Sequence, residues 1–245
     1  MITLRKARAE ARVRNEDFRI FLNYPRYFRQ PKMKNFTIIL TIGILIAFSC
    51  NGLGNSAAFK DEYHDTTKPF KREIPTYHDG KLDLFYLVSK DKQKQLGLDS
   101  IENGFKDLQI RVWYDFSFQK KQKLVIITNA NAKWAATVYN MDVDWDGESE
   151  TIVSKSIEEK SPASGWQNFS KKLLDLQIIT LPDSRDIPGY EMGADGNTYS
   201  VEIATPNQYR FYNYWTPSMF QDSLWQAKNM VDIITLLDNE LGVRL

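Results

Sequence analysis

Cysteine and histidine are almost absent from this chain. Among its 245 residues there is one cysteine, Cys50, and there are two histidines, His64 and His78. A single thiol cannot close a disulfide within the chain, and it cannot build a metal site from several thiolates. Both histidines fall in a polar segment that we expect to be flexible, where neither could hold the geometry of a general base.

The common catalytic motifs are missing as well. The sequence contains no G-x-S-x-G, no phosphate-binding glycine loop, no G-x-G-x-x-G and no H-E-x-x-H. Carboxylates are plentiful, so hydrolysis by a pair of acidic side chains stays open. We expect Glu158, Glu159, Asp183 and Asp186 to be solvated turn residues instead.

Net charge is low overall but unevenly distributed. The chain has 32 Lys and Arg against 31 Asp and Glu, and ten of the basic but only three of the acidic residues lie in residues 1–50. The remainder carries 22 basic and 28 acidic residues, a net charge of −6. An acidic region of this kind is a poor partner for phosphate backbones, so we expect no nucleic-acid binding.

One apolar run stands near the N-terminus. Residues 36–48 are apolar or uncharged throughout, Met33 and Lys34 precede them, and Ser49 and Cys50 follow. A positive charge, a short apolar core and a small residue before the cut are typical of a secretory signal peptide. Cleavage is expected between Ser49 and Cys50.

The cysteine at this position resembles the lipobox of bacterial lipoproteins. That resemblance implies lipidation of Cys50, which becomes the new N-terminus, and a location in the bacterial cell envelope. Asn51 stands where some bacteria use Asp to retain lipoproteins in the inner membrane, so the resemblance favours the outer membrane. Two alternatives stay open: a single-pass anchor over residues 35–59 with an exported C-terminal domain, or another export signal.

The signal divides the chain into four parts. Residues 1–32 are a basic extension or an unusually long n-region, depending on whether translation begins at Met1 or Met33. Residues 33–49 are the signal peptide, and residues 50–80 are the lipidated cysteine and a flexible, polar tether. Residues 81–245 are long enough for a single domain.

Alternating apolar residues and two helical segments predict the fold class of that domain. It is α+β, an antiparallel β-sheet of about six or seven strands with two helices packed on one face. Capping boxes at 164–167 and 218–221 are expected to begin the helices. The strands are expected at 82–88, 108–118, 124–128, 134–142, 151–157, 199–203 and 209–215.

This layout resembles a group of uncharacterised bacterial lipoproteins. The segments that carry the resemblance are IRVWY (110–114), GWQNF (165–169), LP (181–182), DGNTYSVEI (195–203) and YRFYNYW (209–215). It extends over roughly residues 96–241. It implies one domain and a lipid anchor, and it brings no activity.

An acidic segment at 142–150 suggests a metal site. Asp142, Asp144, Asp146 and Glu148 follow the D-x-D-x-D-G order that begins a calcium loop. Position twelve of such a loop, which should be Glu, is Val153. The alternative is an acidic hairpin tip that binds no cofactor.

The aromatic strand at 209–215 suggests a contact surface. Tyr209, Phe211 and Trp215 share one face and are expected in the core. Arg210, Tyr212 and Tyr214 share the other face. An exposed Tyr/Arg patch there would suit a protein partner, or less readily a glycan, and the alternative is ordinary packing within the domain. The sequence therefore predicts a lipid-anchored, non-catalytic envelope protein that works by contact. The alternative is a carboxylate-dependent hydrolase of envelope or extracellular glycans.

Overall fold

The computed structural model describes residues 68–116, 120–145, 149–193 and 196–243. Ser49, Cys50, Asp146 and Glu148 lie outside these ranges. The signal peptide and the lipidation site therefore stay predictions.

Seven strands form one mixed sheet in the order β1-β7-β6-β2-β3-β4-β5. Strand β1 pairs parallel with β7, and every other neighbouring pair is antiparallel. The α+β class is confirmed, but the sheet is not purely antiparallel. The strands are β1 (Lys71–Glu73), β2 (Leu108–Phe116), β3 (Lys121–Ala130), β4 (Lys133–Trp145), β5 (Glu150–Lys160), β6 (Asn197–Thr205) and β7 (Gln208–Trp215).

Strand β1 corrects the expected end of the tether. Residues 50–80 were expected to be flexible, yet Lys71 pairs with Gln208 and Glu73 pairs with Arg210 at one edge of the sheet. The three-residue strand is too short to show a period in the sequence. Its position depends on long-range pairing with β7.

Short turns join the hairpins of the sheet. Asn131 and Ala132 connect β3 to β4 with φ angles of +53° and +61°. A two-residue hairpin turn of type I′ requires a positive φ at both of its central residues. Thr205 pairs with Gln208, so Pro206 and Asn207 form the turn between β6 and β7.

Among the described residues, three α-helices and two short 3₁₀ segments accompany the sheet. The helices are α1 (Leu84–Leu96), α2 (Trp166–Asp175) and α3 (Trp225–Leu241). The 3₁₀ segments are Ser184–Asp186 and Pro217–Met219.

Helix α1 corrects the strand that was expected at residues 82–88. The Asp83 side chain caps it by accepting from the Tyr86 N–H, and Gly97 ends it in the left-handed conformation. Its buried positions follow helical spacing but are mostly polar: Tyr86, Ser89, Lys92, Gln93 and Leu96. A search for apolar periodicity could not find such a face.

The two expected capping boxes are also wrong. Gly165 precedes α2 and Leu224 precedes α3, and neither helix has a side-chain cap. The Ser164 N–H donates instead to the Glu240 carboxylate of α3 at 2.7 Å. Helix α2 buries an apolar face, on which Phe169 and Leu173 are fully buried.

The helices lie on both faces of the sheet, which corrects the expectation of one face. Helices α2 and α3 cover the larger core, which includes Ile110, Ile127, Val201 and Tyr212. Side chains of the opposite face form two smaller clusters that contain Tyr86 and Leu96 of α1. The domain therefore has three layers, with α1 alone on the second face.

Candidate functional site

Charged side chains fill much of the space between α1 and the sheet. The center of this α1 interface is Glu202 of β6, whose side chain is fully buried. Its Oε1 accepts from Trp113 Nε1 at 2.8 Å, and its Oε2 accepts from the Tyr209 hydroxyl at 2.8 Å. Lys90 Nζ of α1 donates to the same Oε2 at 2.5 Å. A buried carboxylate with three donors is compensated in both charge and hydrogen bonding.

The groups around Glu202 have shifted pKa values. Burial, together with the Glu202 carboxylate, raises the pKa of the Tyr209 hydroxyl far above its ordinary value. Burial lowers the pKa of Arg111, against the opposing effect of Glu202. Arg111 donates from Nη2 to the Asp99 carbonyl at 2.7 Å and from Nε to Gln109. Tyr209 is therefore held neutral, as a hydrogen-bond donor to Glu202.

A second ion-pair cluster lies further along α1. The buried Lys92 ammonium lies 2.9 Å from Asp115 Oδ2 and 2.7 Å from Glu150 Oε2. Gln122 Nε2 donates to both carboxylates at 3.3–3.4 Å. Burial raises the pKa of Asp115, and the Lys92 ammonium opposes that rise. This cluster joins α1 to β2, β3 and the start of β5.

A third cluster lies at the N-terminal end of α1. Arg185 Nη1 lies 3.1 Å from Asp83 Oδ2, and its Nε donates to Asp183 at 2.9 Å. The Asn213 backbone N–H donates to Asp183 at 3.0 Å. Burial raises the pKa of Asp83. Asp183, expected in a solvated turn, is instead buried between β7 and the 3₁₀ segment that holds Arg185.

The expected contact surface on β7 is wrong. Tyr212 and Tyr214 are buried, with exposed fractions of 1% and 0%. Their hydroxyls donate to the backbone carbonyls of Ile178 at 2.5 Å and Pro182 at 2.9 Å. Arg210 ion-pairs with Glu73 and donates to the Leu181 carbonyl at 2.9 Å. The chain that follows α2 covers this face of β7, and strand alternation alone cannot reveal such a cover.

The acidic segment is described in part. Asp142 and Asp144 lie in β4, and Ser154 Oγ donates to Asp142 at 2.7 Å. Antiparallel pairing of β4 with β5, out to Trp145 and Glu150, confirms the hairpin. Since Asp146 and Glu148 are outside the described residues, calcium binding stays a prediction.

Outside these clusters, the described surface includes an exposed histidine and a groove. His78 lies exposed in a turn before α1. A surface groove of about 400 Å³ runs between α2 and α3, lined by Lys172, Leu176, Asp232 and Leu236 among others. It lies on the face of the sheet opposite Glu202. In the described ranges, no group of three or more His, Cys, Asp or Glu is arranged to hold a metal.

Comparisons with protein-family models, curated proteins and solved structures find no match to this chain. No helix within the described residues combines the length and the apolar character needed to cross a bilayer.

Sequence reasoning missed the α1 interface. Glu202 stands between Val201 and Ile203, and the alternation of the strand assigns it to the face opposite those apolar side chains. The strand expected at residues 82–88 leaves no helix to cover that face. The available signal was an acidic residue, Glu202, within an otherwise apolar part of a strand. The polar segment that holds Lys90 and Lys92 could supply its counter-charge.

Proposed function

We propose that this protein is a lipid-anchored, non-catalytic component of the bacterial envelope that works by contact with another envelope protein. The observation that carries the proposal is Cys50, which directly follows an uncharged run and the small residue Ser49. Two or more acyl chains give lasting membrane attachment, whereas one gives only marginal binding. Attachment also raises the local concentration of the domain near membrane partners.

The buried carboxylates are engaged in ion pairs within the fold, which supports a non-catalytic role. Asp83 and Asp183 share Arg185, Asp115 contacts Lys92, and Glu202 contacts Lys90. Each of these carboxylates is thus held by a basic side chain that joins two elements of the fold. Such pairs hold α1 against the sheet, and they give these acids a structural role in the fold.

An exposed apolar surface beside α1 supports the contact role. It consists of Tyr77, Leu82, Leu84 and Leu87, which are 42–56% exposed, and we name it the α1 patch. The Leu84 N–H donates to the Tyr77 hydroxyl at 3.3 Å, and Leu84 and Leu87 are three residues apart on the helix. Clustered exposed apolar side chains favour association with a protein partner. The α1 patch therefore replaces the buried Arg210 face as the proposed contact surface.

Metabolic labelling with palmitate tests the anchor. The full chain should incorporate the label and fractionate with the outer membrane, and Cys50→Ser should lose both properties. A matched control adds Ser56→Cys to Cys50→Ser, which restores a thiol six residues away from the expected cleavage site. Labelling of that control, or of Cys50→Ser alone, would contradict lipidation at Cys50.

Crosslinking in cells followed by mass spectrometry tests the contact role. Leu84→Lys and Leu87→Lys should lose a protein crosslink that the parent chain makes, at unchanged protein levels. Met219→Lys is the matched control, because Met219 is a similarly exposed apolar residue (67%) outside the α1 patch. Retention of every crosslink in the α1 variants, or crosslinking to glycan alone, would count against a protein partner at this surface.

A further inference from the structure

Strand β5 is a long edge strand, and most of its residues are exposed to solvent. It has 11 residues and pairs only with β4 in the described sheet. Eight of these residues, Thr151 and those from Val153 to Glu159, are exposed. Ile157 is 54% exposed. A row of unpaired N–H and C=O groups along such an edge can pair with another strand.

A bulge limits the part of β5 that can extend the sheet. Asp142 pairs with Ser154 and Val143 pairs with Ile152, so Val153 is the extra residue. A bulge bends its strand and disrupts the ladder locally. The regular part of β5 therefore runs from Ser154 to Lys160, with the sequence SKSIEEK.

The charges of this regular part are complementary to those of a second copy. If two β5 strands run antiparallel with Ile157 opposite itself, Lys155 of each copy faces Glu159 of the other. Ser156 then faces Glu158, and Ser154 faces Lys160. No like charges stand opposite each other, and the apolar pair lies at the center.

Neighbouring registers lack this complementarity. A register centred on residue 155 sets two lysines face to face, and one centred on residue 158 does the same with two glutamates. A register centred on residue 156 sets Lys155 opposite Ile157 and forms no oppositely charged pair. Like charges directly opposite destabilise an antiparallel pair, whereas opposite charges contribute about 0.2–1 kcal/mol. Registers in which a residue faces itself keep opposed side chains on the same face, whereas sliding one strand by a single residue would oppose different faces.

We propose that β5 pairs with β5 of a second copy of this chain in this register, forming an isologous dimer with one continuous 14-stranded sheet. In the dimer the two Ile157 side chains contact each other beside Tyr139, which pairs with Ile157 across β4 and β5. The two α1 helices lie on the same side of the extended sheet. A two-fold axis through residue 157 makes each contact occur twice.

Lys155 and Glu159 are free to make the intermolecular pair. Lys155 Nζ lies 3.3 Å from the Leu96 carbonyl at the C-terminal end of α1. An ammonium has three donors, so two remain for a partner. Glu159 is exposed, and among the described residues it makes no ion pair. The two side chains lie on the same face of β5, the face that carries Ile157.

Site-specific disulfide formation tests the register. The full chain in a Cys50→Ser background, in detergent, has no other thiol, so an added cysteine reports alone. Ile157→Cys should form a disulfide-linked dimer, because opposed Cα atoms lie about 4.5 or 5.5 Å apart in an antiparallel pair, which fits disulfide geometry. Val153→Cys is the matched control, since Val153 is similarly exposed (63%).

In the proposed register the two Val153 positions are offset by eight residues, or about 26 Å. Val153→Cys should therefore form no disulfide-linked dimer on oxidation, while both reduced variants melt like the parent. Crosslinking of both variants to the same extent, or of neither, would overturn the proposal.

A charge exchange tests the dimer in solution. Lys155→Glu should raise the dimer dissociation constant about tenfold in sedimentation equilibrium, because two attractive pairs become repulsive. Adding Glu159→Lys should restore dimerisation, since the exchanged pair is again complementary. A parent chain that is monomeric at every concentration, as it would be if residues 51–67 cover this edge, would overturn the proposal. So would a double variant that dimerises no more tightly than Lys155→Glu.

Discussion

Lys90 of helix α1 donates to Glu202 of strand β6 at 2.5 Å, and this pair joins the helix to the middle of the sheet. The residues are 112 positions apart in the sequence. Glu202 is fully buried, while the Lys90 side chain is 14% exposed. The pair explains how a helix with a polar buried face stays docked: its ammonium and the strand carboxylate neutralise each other where neither could be left alone.

We predict that Glu202→Gln destabilises the domain by about 3 kcal/mol, because it leaves the Lys90 ammonium without its buried counter-charge. The free energy of unfolding in urea, followed by tryptophan fluorescence, measures the change. Glu102→Gln is the control, since Glu102 lies 3.3 Å from the same ammonium but is more exposed. It should cost less than about 1 kcal/mol. Equal losses in the two variants would show that Glu202 has no special role.

Glu240 gives a prediction on pH dependence. Its pKa is lowered from 4.5, chiefly by the Ser164 N–H that donates to its carboxylate. A carboxylate with a lowered folded-state pKa contributes stability above its unfolded pKa, and this contribution is lost as the pH falls through the folded value.

Glu240→Gln should therefore lower the free energy of unfolding at pH 7, by about 1 kcal/mol, and the difference should disappear well below pH 4.5. Unfolding curves of both proteins from pH 7 to pH 3 measure it. A difference that stays constant over this range would mean that the ionised form of Glu240 is not what stabilises the start of α2.

Gly196 lies against the end of β7, and we predict that Gly196→Ala is strongly destabilising. An added Cβ would lie 2.2 Å from Thr216 Oγ1 and 2.6 Å from Trp215 Nε1, at a φ of +156°. We expect a loss of about 2 kcal/mol or more. Gly189→Ala, where φ is +83° and no atom lies within 4 Å of the added Cβ, should lose only about 1 kcal/mol from backbone strain. Thermal melts of the two variants distinguish a steric clash from backbone strain. Equal shifts in melting temperature would refute the close approach at Gly196.

The turn between β3 and β4 offers a stabilising substitution. Ala132 holds a φ of +61°, which costs an alanine roughly 1–2 kcal/mol. Ala132→Gly would create the Asn-Gly pair preferred at such turns and should raise the unfolding free energy by about 0.5–1 kcal/mol. Ala135→Gly, in the exposed part of β4, should instead lower it by a similar amount. A loss of stability in both would contradict the turn geometry.

The strands were predictable because their alternation is local. Those expected at 108–118, 134–142 and 209–215 overlap β2, β4 and β7. Short connections predict hairpins between consecutive strands, but they do not predict the pairing of β2 with β6. Parallel pairing of β1 was not predictable, since three polar residues carry no period and their partner lies more than 130 positions away.

Helix α1 and the buried face of β7 could not be predicted for a different reason. The side of α1 that faces the sheet holds Lys92 and Gln93, so its buried residues look solvated in the sequence. Tyr212 and Tyr214 are covered by the chain around Ile178 and Pro182, whose hydrogen bonds with the two hydroxyls depend on the folded path of that segment. Both cases concern polar groups whose partners are distant in sequence.

The most direct test of the central claim, that Cys50 attaches this domain to an envelope membrane, is the mass of the N-terminal peptide of the protein extracted from membranes. The account predicts a peptide that begins at Cys50 and carries a thioether-linked diacylglycerol. A peptide that begins upstream of residue 50, or one in which Cys50 is an unmodified thiol, would contradict it.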